Sequence, residues 1–261
     1  MVAKKKSQSQ INVYSLEGEV IHKADLPTVF HASYRPDVIR KAVVAEEANK
    51  RQPYGASPRA GVKHSVSTWG KGRGVARVQR LAQGAKGAES PNNVGGRRAF
   101  PPKVDRDWSQ KVNKKERILA RLSALAALSN MDMVKARGHR FSDEVTLPVV
   151  FEDAVEKLDT TAGVLKALQS VGLETDVERA KDSKNVRPGK GKMRGRRYKS
   201  VRSLLIVVSD KEAPIFKGAQ NLAGVEIVAP EQLNTGTLAP GGAAGRLAVF
   251  SEAALNKVRE W

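Results

Sequence analysis

Residues 204–228, LLIVVSDKEAPIFKGAQNLAGVEIV, decide the fold class. Leu204–Val208 is an unbroken aliphatic run. It is too short for a buried helix and suits a strand covered on both faces. Glu212–Leu222 then reads as a helix, and Val225–Val228 resumes the strand pattern. Strand, helix and strand in so short a stretch predict a βαβ unit with parallel strands. Working outward, Leu147–Phe151 and Leu247–Phe250 read as further strands, with helices at Thr161–Val171 and Ser251–Glu260. Ile11–Tyr14 and Glu19–Ile21 add an N-terminal strand or hairpin. Near the N-terminus an amphipathic helix is expected over Pro36–Lys50, with Val38, Ile39, Ala42, Val43 and Ala45 as its apolar stripe. Another begins at Asn113, which forms a capping box with Glu116. It presents Ile118, Leu119, Leu122, Leu125 and Ala126 on one face and ends near Asn130. The expected fold class is α/β, a mainly parallel sheet with flanking helices (Rossmann-like), with one long extended basic loop.

That loop follows from where the charge sits. The 261 residues carry 46 Lys+Arg against 27 Asp+Glu, a formal +19. Residues 50–104 hold twelve basic side chains and one acidic, Glu89. Residues 179–202 hold eleven basic and one acidic, Asp182. The remaining 182 residues are close to neutral, at −2. A solubility charge would be spread and mixed in sign; two concentrated cationic segments call for a polyanion. Residues 50–104 also contain nine glycines and five prolines with no apolar period, so they cannot bury enough surface to offset their own ordering entropy. Three divisions are expected: 1–49 and 111–261 forming one globular α/β domain, with a basic loop at 184–202, and 50–110 forming a long extended basic loop that projects from it.

Within the first segment, TWGKGRGVARVQR (Thr68–Arg80) joins glycine, cation and tryptophan. Glycine lets backbone approach a phosphate closely, cations neutralise it, and Trp69 can stack on a base. Tyr54, Phe100 and Trp108 interleave with other cations in the same way, although Phe100 and Trp108 read equally well as core residues at the loop base. Charge carried in loops rather than along a helix favours irregular RNA over the DNA major groove.

Other functions find little support. Gly70-Lys71-Gly72-Arg73-Gly74 has no strand before it, and so lacks the setting of a nucleotide-binding turn. Gly189-Lys190-Gly191 fails on the same count. His22, His31, His64 and His139 do not pair at metal-ligand spacing, and there is no cysteine. No cofactor, metal or small-molecule substrate is expected. No apolar run approaches the ~20 residues that span a bilayer, and the basic start, MVAKKKSQSQ, lacks a secretory apolar stretch. A soluble, cytoplasmic protein is expected. An RNA-processing or RNA-modifying enzyme with a basic substrate loop is the alternative, and it would need a cofactor crevice at the carboxyl ends of the strands.

Six strings occur in order: RPDVIRKAVVAEEANKRQPYG (Arg35–Gly55), WGKGRGVARV (Trp69–Val78), VGGRRAFPPK (Val94–Lys103), NKKERILARLSALAAL (Asn113–Leu128), GKGKMRGRRYK (Gly189–Lys199) and LAPGGAAGRLAVFSEAAL (Leu238–Leu255). Together they resemble the family of large-subunit ribosomal protein four, in its archaeal form. The resemblance implies a structural, non-enzymatic constituent of the large ribosomal subunit that binds large-subunit rRNA. It implies that the basic loop at 184–202 is RNA-binding and that the extended loop at 50–110 is RNA-penetrating. It implies neighbouring ribosomal proteins as partners, including the other tunnel-lining protein, number twenty-two, and a loop tip that helps to line the peptide exit tunnel. The candidate rRNA-binding residues are Arg51, Arg59, Lys63, Trp69, Lys71, Arg73, Arg77, Arg80, Arg97, Arg98 and Lys103 in the first segment. In the second they are Lys190, Lys192, Arg194, Arg196, Arg197 and Lys199. Trp69, Gly70, Lys71, Gly72, Arg73 and Gly74 are the candidate tip. The long extension of eukaryotic members has no counterpart after Trp261, so its contacts are not carried over. Folded back on itself, a 55-residue loop has arms of about 27 residues, each reaching at most ~90 Å.

Overall fold

The structure is a computed structural model that describes residues 10–261; the basic opening stretch falls outside them. The chain forms two compact units. One comprises the described part of Met1–Glu47 with Gln110–Trp261, and the other comprises Ala48–Ser109.

The first unit is built on a six-stranded sheet. In chain order its strands are β1 (Gln10–Tyr14), β2 (Val20–Asp25), β5 (Val149–Phe151), β8 (Leu205–Val207), β9 (Glu226–Val228) and β10 (Ala248–Ser251). Across the sheet they run β2-β1-β5-β10-β8-β9, and every pairing is parallel except the β1–β2 hairpin. The intervening numbers belong to two small hairpins: β3 (Val66–Ser67) with β4 (Arg80–Leu81), and β6 (Asn185–Val186) with β7 (Tyr198–Lys199). Helices are α1 (Pro36–Asn49), α2 (Lys114–Leu128), α3 (Met131–Ala136), α4 (Thr161–Ser170), α5 (Glu174–Asp182), α6 (Ile215–Ala219), α7 (Thr235–Leu238) and α8 (Glu252–Arg259).

Strand side chains alternate between faces, and both faces are apolar, so both must be covered. Val150, Leu205, Val207, Ala248 and Phe250 join Ile39 and Val43 of α1, Leu125 and Leu128 of α2 and Leu255 and Val258 of α8 in one core. Val149, Phe151, Leu204, Ile206 and Val249 join Val164 and Leu168 of α4, Val177 of α5 and Ile215 of α6 in the other. The result is three layers with the sheet in the middle.

Several elements differ from the sequence reading. The helix expected over Glu212–Leu222 shrinks to α6, which begins only after Pro214. Asn113 is the N-cap of α2, but its side chain makes no capping bond. Glu116 instead accepts two hydrogen bonds from Lys41 Nζ, at 2.8 and 3.0 Å, so no reciprocal box closes. The buried face of α2 is Ala120, Ser123, Ala124, Leu125, Ala127 and Leu128, while Ile118 and Leu119 are exposed. Small residues let helices approach closely, and that packing outweighs the pull of the larger side chains near the start of the helix. Helix α5 lies in a string too charged to show an apolar stripe.

The second unit has no buried residue at all. Backbone pairing orders it instead. β3 and β4 pair antiparallel, Ala56 N–H donates to Pro102 O at 3.1 Å, and Arg97 N–H donates to Glu89 O at 3.1 Å. Two close approaches add to this. A Cβ on Gly61 would lie 2.6 Å from Arg97 N, and one on Gly96 would lie 2.0 Å from Ser90 O.

Candidate nucleic-acid interface

The β3–β4 hairpin carries the candidate tip. Gly70, Gly72 and Gly74 adopt φ of +71°, +80° and +66°, the left-handed region that only glycine enters freely. Nothing lies within 4 Å of the Cβ each would gain, so backbone conformation rather than crowding within the chain requires glycine there. Trp69 stands beside them with Arg80 over its ring, 5.1 Å from the centroid. Arg80 also donates through Nη2 to Ala76 O at 3.2 Å and through Nη1 to Ala85 O. Alone among the candidate cations it is half-buried, and it organises the tip from within.

At the other end of the segment, Trp108 has Arg51 4.2 Å and Arg106 4.1 Å from its ring centroid. Arg51 lies on the entering arm and Arg106 on the returning one, so the contacts clasp the two arms. Trp108 is therefore neither a core residue nor a bare stacking surface. Phe100 is 94% exposed, which removes the core reading for it.

The second cationic segment is the β6–β7 hairpin of the first unit. Val186 pairs with Tyr198, and Arg187 N–H donates to Arg197 O at 2.7 Å. A 3-10 turn over Lys190–Met193 follows Gly189 at φ +79°, and Gly195 at φ +76° reverses the chain. The Arg187 guanidinium donates to Arg196 O at 3.0 Å, bracing the hairpin. Lys190, Lys192, Arg194, Arg196, Arg197 and Lys199 are left pointing outward, exposed.

A buried carboxylate positions this hairpin. Asp176 on α5 accepts from His139 Nδ1 (3.0 Å), Arg140 N–H (3.0 Å), Arg179 Nε (2.9 Å) and Ser203 Oγ (2.7 Å). Burial pushes its pKa up, but the hydrogen bonds from His139, Arg179 and Ser203 outweigh burial and hold it well below the usual carboxylate range. Arg179 then donates to Arg202 O at 3.2 Å, while Ser183 Oγ accepts from Val201 N–H at 3.0 Å. Both bonds tie the end of the hairpin that follows β7 to α5 and its C-cap, from which the β6 end continues directly in the chain. Arg246, fully buried, donates to Ser203 O, Leu204 O, Thr237 O and Glu226 Oε2 at 2.7–3.1 Å, holding the strand that follows. Nothing in the sequence singles out Asp176, Ser203 or Arg246, because each is one polar residue among many and gains its role from partners distant in the chain.

Among the described residues, ion pairs form away from the candidate cations. In the first unit Arg35 pairs with Asp37, Lys41 with Glu116, Lys135 with Asp143, Lys211 with Glu231 and Lys257 with Asp210. Among the described residues, no candidate cation in either segment is paired with a carboxylate. All but Arg80 are exposed. The arrangement is a set of uncompensated charges held outward on ordered backbone, suited to phosphate neutralisation.

The carboxyl ends of the strands, where an α/β enzyme would hold a cofactor, are acidic. Glu156 accepts from Ser209 N–H and Oγ, both at 2.6 Å, and from Ser251 Oγ at 2.5 Å. The cleft there, about 470 Å³, is lined by Asp153, Glu156, Asp210 and Glu212 against one cation, Lys157. It would repel a phosphate-bearing cofactor. Among the described residues no group of acidic or histidine side chains could hold a metal ion, and no helix is long and apolar enough to cross a membrane.

Comparison with known proteins agrees with the geometry. The model of the Ribosomal protein L4/L1 family matches residues 24–261. The large ribosomal subunit protein uL4 of Methanoculleus marisnigri is 46% identical over 249 residues, covering 95% of this chain and 98% of that protein. Those of Methanocaldococcus jannaschii and Archaeoglobus fulgidus are 47% and 45% identical, over 95% of this chain in each case and 97% and 98% of theirs. With cationic hairpins, an acidic cleft in place of a cofactor site, and a match spanning nearly its whole length, the chain belongs to the ribosomal protein L4/L1 family.

Proposed function

We propose that this protein is a structural, non-catalytic constituent of the large ribosomal subunit, and that it works in the cytoplasm as part of the ribosome. It binds large-subunit rRNA through its two cationic segments and packs beside neighbouring ribosomal proteins. The observation that carries this reading is the concentration of exposed charge: twelve basic residues against one acidic in 50–104 and eleven against one in 179–202. Among the described residues the candidate cations of the two segments are paired with no carboxylate, and all but Arg80 are exposed. Each phosphate neutralised releases condensed counterions, and this drives association.

In finer detail, the sheet unit is Rossmann-like in its layering and sits as the globular body. Residues 50–110 act as an extended loop entering the rRNA, with the tip at Trp69–Gly74 helping to line the peptide exit tunnel next to the other tunnel-lining protein. The absence of buried side chains in that unit supports a segment that completes its packing on RNA. The acidic cleft argues against the RNA-modifying enzyme. Sedimentation through a sucrose gradient tests the main claim. Co-migration with the large subunit through a moderate-salt wash is expected; recovery only in the free-protein fractions would refute it.

A further inference from the structure

Residues 48–109 contain four aromatic side chains, Tyr54, Trp69, Phe100 and Trp108, and the structure divides them into two kinds. Trp69 is covered by Arg80, and Trp108 by Arg51 and Arg106. Phe100 and Tyr54, by contrast, are 94% and 70% exposed and have no ring or cation contact among the described residues. The other phenylalanines are buried or half-buried in the sheet unit. Phe100 has no polar atom that would account for its place in water.

We infer that Phe100 and Tyr54 are stacking platforms for unpaired RNA bases, one on each arm of the segment and separate from the candidate tip. Their backbone is prepared for this. Phe100 precedes Pro101-Pro102, and a residue before proline is confined to extended conformations, so the ring is presented at little entropic cost. Pro102 O accepts from Ala56 N–H at 3.1 Å, which ties the Phe100 arm to the Tyr54 arm. Gly55 packs so closely on the opposite arm that a Cβ would lie 2.8 Å from Val104 N. The surroundings select the ligand. Arg97, Arg98 and Lys103 flank Phe100 in the chain, and Arg51, whose guanidinium lies over Trp108, is three residues before Tyr54; no carboxylate is paired to any of them among the described residues. A bare ring between unmatched cations matches a base between its phosphates, the pattern by which aromatic platforms hold single-stranded nucleic acid. An apolar protein pocket would have no use for the cations.

This inference rests on the rRNA-binding reading, and the test separates the two. The full-length chain is titrated against in vitro transcribed archaeal large-subunit rRNA at several salt concentrations. Phe100→Ala and Tyr54→Ala are each expected to weaken binding by about 5- to 150-fold and leave the salt slope unchanged. Tyr54→Phe, which keeps the ring, is expected to bind as the parent does. A photo-reactive phenylalanine at position 100 is expected to cross-link to a base. If both alanine variants bind normally while Arg97→Gln/Arg98→Gln/Lys103→Gln binds weakly with a flatter salt slope, the platforms are refuted and RNA binding stands. Cross-links from position 100 only to protein also overturn the inference. If neither class of variant weakens binding, the rRNA reading of this segment fails with it.

Discussion

Asp176 shows how one residue controls a surface it does not touch. Three of its four hydrogen bonds join α5 to the loop after α3 and to Ser203 ahead of β8; the fourth comes from Arg179 on the same helix, which in turn holds Arg202 at the foot of the β6–β7 hairpin. A buried ionised group whose partner is removed costs several kcal/mol, because the remaining charge stays desolvated. Asp176→Asn leaves Arg179 without its counter-ion and is expected to destabilise the sheet unit by about 3 kcal/mol, read from the midpoint of denaturant unfolding. The carboxyl also gives stability a pH dependence of definite sign. Its folded-state pKa is depressed, so its contribution is complete above the unfolded value of about 3.9. It is lost as the pH falls through the lower folded value. Between roughly pH 5 and 2 the parent is expected to lose stability more steeply than the Asp176→Asn variant. Parallel curves would show that Asp176 is not held ionised.

At the scale of elements, the β6–β7 hairpin separates bracing from binding. Arg187 bonds Arg196 O and is spent on the hairpin itself; the outward cations make no such bond. Neutralising Lys190, Lys192, Arg194, Arg196 and Arg197 together is therefore expected to leave the sheet unit's unfolding midpoint unchanged within ~0.5 kcal/mol, the usual range for exposed positions. The variant is also expected to weaken rRNA binding and flatten its salt dependence. Each lost phosphate contact removes a log–log slope near ~0.9, by analogy with duplex DNA. A slope equal to the parent's would place the hairpin in solvent.

For the molecule as a whole, the contrast is between a unit with two cores and a unit with none. Segments without buried apolar contacts open at the lowest free energy. Limited proteolysis of the RNA-free protein is expected to cut first within residues 50–104 and to release the sheet unit intact. Equal protection of both units would show that the second is stable by itself. A second prediction concerns the work of the tip. Deleting residues 66–80 removes only exposed or half-buried side chains, so the shortened chain is expected to fold and to join the large subunit. In the complete chain, a cross-linker at position 71 or 73 is expected to capture a stalled nascent peptide. Capture of rRNA remote from the tunnel wall instead would end the tunnel reading and leave rRNA binding in place.

The sequence alone determined the layered α/β class, because strand and helix periodicities are local. Runs such as Leu204–Val208 must be covered on both faces wherever they fall. It also determined the polyanionic partner, since a charge of +11 in residues 50–104 cannot be neutralised from within, and six ordered strings carried the family. Tertiary structure alone decided matters that depend on residues far apart in the chain. It placed β10, the last strand, between β5 and β8. It turned the small-residue face of α2 inward and left Ile118 and Leu119 in water. It gave Asp176 partners 37 and 27 residues away. It also placed arginines on Trp69 and Trp108 and none on Phe100 or Tyr54. Local patterns encode which surfaces must be covered or neutralised; only the packed chain settles which side chains meet, because those contacts join segments that no local period relates.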